Sequence, residues 1–182
     1  MRTLMPSTPA MAKAETLAYQ FHEAIEDAAS SGTVYPYPCT CCTLVGPIDN
    51  SGLFSPGKYG GGAYLTVHNS VGSLIDWYNV QFYNQGTSEY TTCSNLLTTS
   101  SNTWPKTALF QIAASGVPLS KLVIGKPATT GDANNGYIDA NTLATCLQTA
   151  KNQGWNGGAM AWQYPHAGSS WITTVRSKSW PV

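Results

Sequence analysis

The chain has 182 residues, nine basic and nine acidic side chains, 10% charged residues and 42% hydrophobic ones. That length supports one ordinary domain with a real core. Zero formal net charge argues against nucleic acid, which needs a basic stripe, and the hydrophobic share argues against disorder.

Residues 10–29 predict a helix, because Leu17, Phe21, Ile25 and Ala28 recur at helical spacing with Glu15, Glu23, Glu26 and Asp27 outside that stripe. Residues 30–62 are rich in turn formers, including Ser55-Pro56-Gly57 and Gly60-Gly61-Gly62, and read as a long loop. A strand is predicted over 74–84, then a Thr/Ser-rich loop and a short helix near Thr107 to Ser115. Lys121-Leu122-Val123-Ile124-Gly125 suits a buried parallel strand. Asn134-Asn135-Gly136 marks a turn, and Asn141 to Gln153 a helix stopped by Gly154. Gly157 to Tyr164 is a further buried strand, and Ser169 to Lys178 a last helix. Strand and helix alternate as in an α/β protein. Three strands do not close a barrel, since a complete eight-stranded one runs to about 250 residues.

No segment is a continuous apolar run of signal-peptide or membrane-spanning length, so no export signal and no membrane partner are predicted. Of the five cysteines, Cys39, Cys41 and Cys42 cluster without a second Cys/His group, and His22, His68 and His166 are scattered. Structural zinc needs four ligands, so no metal and no cofactor are predicted. Cys93 and Cys146 are candidates for a disulfide that spacing alone does not prove.

The stretch Ile75 to Gln85 carries the chemistry. Along a strand side chains alternate, so Tyr78, Val80 and Phe82 share one side while Trp77, Asn79, Gln81 and Tyr83 share the other. A strand face of indole, phenol and neutral amide groups suits a polar ligand, and a sugar better than a phosphate or a metal. Glu89 and Asp132, in the loops after two predicted strands, read as solvated loop charges, with contact to a sugar as the alternative.

Leu74 to Gln85 (LIDWYNVQFYNQ), Lys121 to Pro127 (KLVIGKP), Gly136-Tyr137-Ile138 and Gly157 to Tyr164 (GGAMAWQY) resemble the C-terminal strands of glycoside hydrolase family 18, the chitinase and endo-N-acetylglucosaminidase family. The resemblance implies an α/β fold: a partial (β/α)8 TIM barrel comprising strands six to eight with their helices, its N-terminal half missing. Residues 53–182 would be that C-terminal part, and residues 1–52 a divergent segment with one helix. The family's nucleophile is the substrate's own N-acetyl carbonyl, an exception to the two-carboxylate scheme. Carried over, Gln81, Tyr83 and Asn84 would contact the N-acetyl group, with Tyr83 orienting it. Trp162 would form the hydrophobic floor beneath the central sugar ring, because ligands sit at the C-terminal ends of barrel strands. The implied partners are chitin or N-acetylglucosamine oligosaccharides, together with a complementary N-terminal barrel half. The implied location is extracellular.

The family's acid-bearing run, Asp-x-x-Asp-x-Asp-x-Glu, does not occur in the sequence. General acid help is worth roughly a hundred- to ten-thousand-fold in rate. The expectation is therefore a chitinase-like chain that is inactive alone, with a non-catalytic chitin-binding, lectin-like protein as the alternative.

Overall fold

Residues 54–55 and 63–181 are described in a computed structural model of the chain. The predicted helix over 10–29, the boundary near residue 52 and Cys39, Cys41 and Cys42 lie outside those residues. In chain order, the described part forms helix α1 (Ala63–Val71), strand β1 (Tyr78–Gln81) and helices α2 (Cys93–Leu97) and α3 (Leu109–Ala114). Strand β2 (Leu122–Pro127), helix α4 (Ala140–Asn152), strand β3 (Ala159–Trp162) and helix α5 (Ser169–Arg176) follow.

The three strands form one parallel sheet in the order β1-β2-β3. Tyr78 pairs with Leu122 and Gln81 with Gly125, while Ile124 pairs with Ala159 and Pro127 with Trp162. All three strand C-termini therefore lie at one end of the sheet. Partners in a parallel ladder project to the same side, so the alternation of each strand sorts the sheet into two faces. One carries Tyr78, Val80, Leu122, Ile124 and Lys126, all buried. The other carries Asn79, Gln81 and Val123, each half-buried, and ends in the exposed Trp162.

The buried face packs on the helices. Leu96, Leu97, Leu109, Ile112, Leu143, Leu147 and Trp155 join Val80, Leu122 and Ile124 in one apolar cluster. Burying each such side chain stabilises the fold by roughly 1.5–3 kcal/mol. The Trp155 indole N–H donates to the Leu122 carbonyl at 2.7 Å, so the largest core ring leaves no polar atom stranded. Gly157 is required beside it: a Cβ there would sit 2.0 Å from the Leu122 oxygen.

Local signals explain the helix boundaries. At α2, the Thr92 side chain accepts from the Asn95 N–H while the Asn95 side chain accepts from the Thr92 N–H, a reciprocal cap. At α4, the Asp139 carboxylate accepts from the N–H groups of Asn141 and Thr142. Cys93 and Cys146 form a disulfide, with Cα atoms 5.0 Å apart, that joins α2 to α4.

Two differences from the sequence reading stand out. The predicted strand over 74–84 reduces to Tyr78–Gln81. Before it the Ile75 N–H turns back to the Gly72 carbonyl, and after it Asn84 takes a left-handed φ of 59°. Helix α1 falls between the predicted loop over 30–62 and the predicted strand over 74–84, where no element is predicted, and helix α2 falls in the predicted Thr/Ser-rich loop. Among the described residues, no helix is long and apolar enough to cross a membrane.

Candidate functional site

The C-terminal end of the sheet collects the residues with useful chemistry. Gln81 is the last residue of β1 and is half-buried. Its backbone carbonyl accepts from the Gln85 side-chain amide at 3.1 Å, which folds the following loop back over the strand end. Gly125, its partner on β2, has no side chain, and the methyl group of Met160 fills the gap: a Cβ on Gly125 would lie 2.6 Å from the Met160 Cε. Trp162 is two residues beyond Met160, hence on the same face, and 46% of its surface is exposed. Gln81 and Trp162 therefore stand on the same side of the sheet. Strand spacing separates them by about 10 Å across the sheet and about 7 Å along it.

Tyr83 is buried. Its backbone lies against Gly136, where a Cβ would come within 2.6 Å of the Tyr83 Cα, and Gly136 itself has φ +86°. Only glycine satisfies both conditions without moving Tyr83. Asn84 is exposed at the rim. Its side-chain oxygen accepts from the Asn134 N–H at 2.8 Å, and its own N–H donates to the Asn135 carbonyl. The turn read at Asn134-Asn135-Gly136 thus holds the segment after β1 through both Tyr83 and Asn84. Trp77, predicted to share the face of Gln81, lies before the start of β1 and is exposed.

Lys126 supports this arrangement from the opposite face. It is fully buried, and its ammonium donates to the carbonyls of Phe82 at 2.7 Å, Tyr90 at 2.8 Å and Gly136. Burial pulls its pKa down from 10.5 to about 7, against the three carbonyls, which favour the charged form. One side chain thereby ties β2 to the residue before Tyr83, to the next loop and to the glycine beneath Tyr83. Sequence reading missed it because a lysine in a strand pattern gives no sign of which carbonyls it will meet.

The two loop acids differ from expectation. Glu89 and Asp132 are 4% and 8% exposed, not solvated. The side-chain oxygen Oε2 of Glu89 has no hydrogen-bond partner among the described residues. Asp132 is bonded at both oxygens, to His166 and to Thr129. Its burial opposes ionisation, but the hydrogen bonds from His166 and Thr129 outweigh it and hold the carboxyl below its ordinary range. Among the described residues no group of three His, Cys, Asp or Glu side chains could hold a metal ion.

Comparison with known proteins adds an independent line. No family model matches the chain. It is 33% identical over 90 residues to an acidic endochitinase of Beta vulgaris, covering 49% of this chain and 27% of that protein. It is 38% identical over 58 residues to a class III chitinase of Arthroderma benhamiae, covering 32% of this chain and 18% of that protein. The matches therefore span about a quarter or less of those relatives' length. Among solved structures, a GH18 chitinase from Pseudoalteromonas aurantia superposes with a TM-score of 0.56 at 26% identity, over 71% of this chain and 44% of that one. Over the part it shares with these relatives, the chain has a chitinase-like α/β fold of glycoside hydrolase family 18.

Proposed function

We propose that this chain is a chitinase-like family 18 chain whose sheet end binds β-1,4-linked N-acetylglucosamine polymers through Gln81, Tyr83, Asn84 and Trp162. The observation that carries the reading is the common placement of Gln81 and Trp162, on one face and at one end of a parallel sheet. An indole offers its π face to the apolar C–H face of a pyranose, and neutral amides and a phenol suit an acetamido group without a net charge. In this reading β1, β2 and β3 are the sixth, seventh and eighth strands of the family barrel. The buried Tyr83, fixed by Gly136, orients the N-acetyl carbonyl.

The chain binds such a sugar without hydrolysing it at a useful rate. The support is chemical: its sequence holds no Asp-x-x-Asp-x-Asp-x-Glu run, and general acid help is worth roughly a hundred- to ten-thousand-fold. The Cys93–Cys146 bridge fits an oxidising compartment.

Retention of the purified chain on chitin beads tests the binding. Wild type should be held and Trp162→Ala released, with both melting cooperatively. A folded wild type that passes through the beads would sink the reading. Release of a fluorophore from a chito-oligosaccharide glycoside tests the catalysis: none is expected, and turnover by the pure chain would overturn the inactive assignment.

A further inference from the structure

The loops that leave β2 and β3 meet in one polar contact that the reading above does not use. The His166 Nδ1–H donates to Asp132 Oδ1 at 2.6 Å. Asp132 Oδ2 accepts from the Thr129 backbone N–H at 2.9 Å and from the Thr129 hydroxyl at 2.8 Å. The Asp132 side chain is 1% exposed, whereas that of His166 is 52% exposed. An ionised carboxylate only accepts, so Nδ1 carries a proton, and in its neutral form the imidazole presents Nε2 as an acceptor directed away from Asp132. One ring edge is anchored and the other is offered to solvent.

The position is as informative as the geometry. Pro127 pairs with Trp162, and the next residue, Ala128, donates its N–H to the Trp162 carbonyl. Thr129 and Asp132 follow on that loop, while His166 comes four residues after Trp162, with the 87% exposed Tyr164 between them. The anchored imidazole thus shares one rim with an exposed indole and an exposed phenol. Saccharide recognition needs this combination: aromatic faces for the C–H surface of a ring and a few fixed polar groups for hydroxyls at its edge.

We infer that His166, positioned by Asp132, accepts a hydrogen bond from a hydroxyl of an N-acetylglucosamine unit next to the one stacked on Trp162. This rests on the saccharide-binding reading and extends it to a second contact on the β2 and β3 loops. Fixing the ring before the sugar arrives removes an ordering cost that a mobile surface histidine would meet on binding.

The test is titration calorimetry of the full chain with tetra-N-acetylchitotetraose, alongside ¹⁵N NMR of the imidazoles. His166→Asn is the informative variant, because the asparagine amide reproduces the Nδ1 donor to Asp132 but has nothing at the position of Nε2. It should keep the wild-type melting temperature and bind about tenfold more weakly, the scale of one hydrogen bond. In wild type the His166 Nε2 resonance should move when the sugar is added. Equal binding by wild type and His166→Asn, with Trp162→Ala weakened, would overturn the role of His166 and leave the saccharide reading standing. No binding by folded wild type would overturn both. Should His166→Asn fail to fold, the wild-type resonance decides: an unmoved Nε2 signal at saturating sugar rejects the contact.

Discussion

The Nζ of Lys126 lies 2.7 Å from the Phe82 carbonyl oxygen and donates to it, so a cation on β2 holds the first residue beyond β1. The same ammonium serves Tyr90 and Gly136. Lys126→Met keeps much of the side-chain volume but removes the donor from three buried carbonyls. At about 1 kcal/mol for each lost partner, the variant should lose roughly 3 kcal/mol of unfolding free energy. Urea denaturation followed by tryptophan fluorescence measures it, and loss of chitin-bead retention would show whether Tyr83 shifts with it.

Gly136→Ala should damage the site more than its size suggests. The new Cβ meets the Tyr83 Cα at 2.6 Å in a backbone with φ +86°. Left-handed strain alone costs about 1–3 kcal/mol, and the clash pushes on Tyr83. The expected result is a loss of roughly 2 kcal/mol or more in stability, with weaker binding of chito-oligosaccharides by the folded fraction. Gly154→Ala is the control: its φ is +91° but its Cβ meets nothing within 4 Å, so it should lose stability with binding intact.

Reduction of the Cys93–Cys146 bridge should lower the melting temperature. The bonded residues are 53 apart in sequence, and chain-entropy arguments assign a loop of that size about 4 kcal/mol. The Cys93→Ala/Cys146→Ala double variant should lose a similar amount. Calorimetry with and without reductant compares the two.

Stability should fall on the acid side for an identifiable reason. Asp132 and Asp139 both titrate below their ordinary value of 3.8. For Asp132 burial is overcome by the His166 and Thr129 hydrogen bonds, and for Asp139 the leading cause is the hydrogen bond from the Thr142 side chain. Their contribution is complete above the unfolded value and disappears as pH falls through the lower folded values. Lys126 acts at the other end. Its pKa is depressed from 10.5 to about 7 by burial, so the unfolded chain holds a proton there that the folded chain releases. That difference makes stability rise from pH 7 toward 10.5. Denaturation profiles of wild type and Lys126→Met should therefore diverge on the alkaline side, wild type gaining stability that the variant does not, and Asp139→Ala should flatten the acid limb.

Much of the sheet was legible in the sequence because its strands leave short apolar runs, although β3, expected to be buried, is exposed or half-buried at every residue. Leu122-Val123-Ile124 on β2 and Ala159-Met160-Ala161-Trp162 on β3 fall inside the predicted segments. Helix α4 carried both a cap at Asp139 and a stop at Gly154, and its extent was read to within a residue. Helix α1 was not, because its polar residues Thr66, His68, Asn69 and Ser70 follow a run of glycines and hide the apolar stripe. Helix α2 was hidden in a Thr/Ser-rich stretch, although the reciprocal Thr92 and Asn95 cap was a signal that could have located it.

The site was legible only in part. Gln81 and Trp162 follow from strand alternation and strand ends, which are local properties. The pairing of Asp132 with His166 is not local: the two are 34 residues apart and meet only because β2 and β3 lie side by side. Glu89 likewise looks like a loop charge until the fold covers it.

The bridge between α2 and α4 encloses β2, the Asp132 loop and the Gly136 turn in one covalent ring. A protease that cuts the backbone once inside that ring releases no fragment, since both pieces remain joined through sulfur. Damage to the Asp132 loop or the Gly136 turn would then go unnoticed on a non-reducing gel and appear only once the thiols are freed.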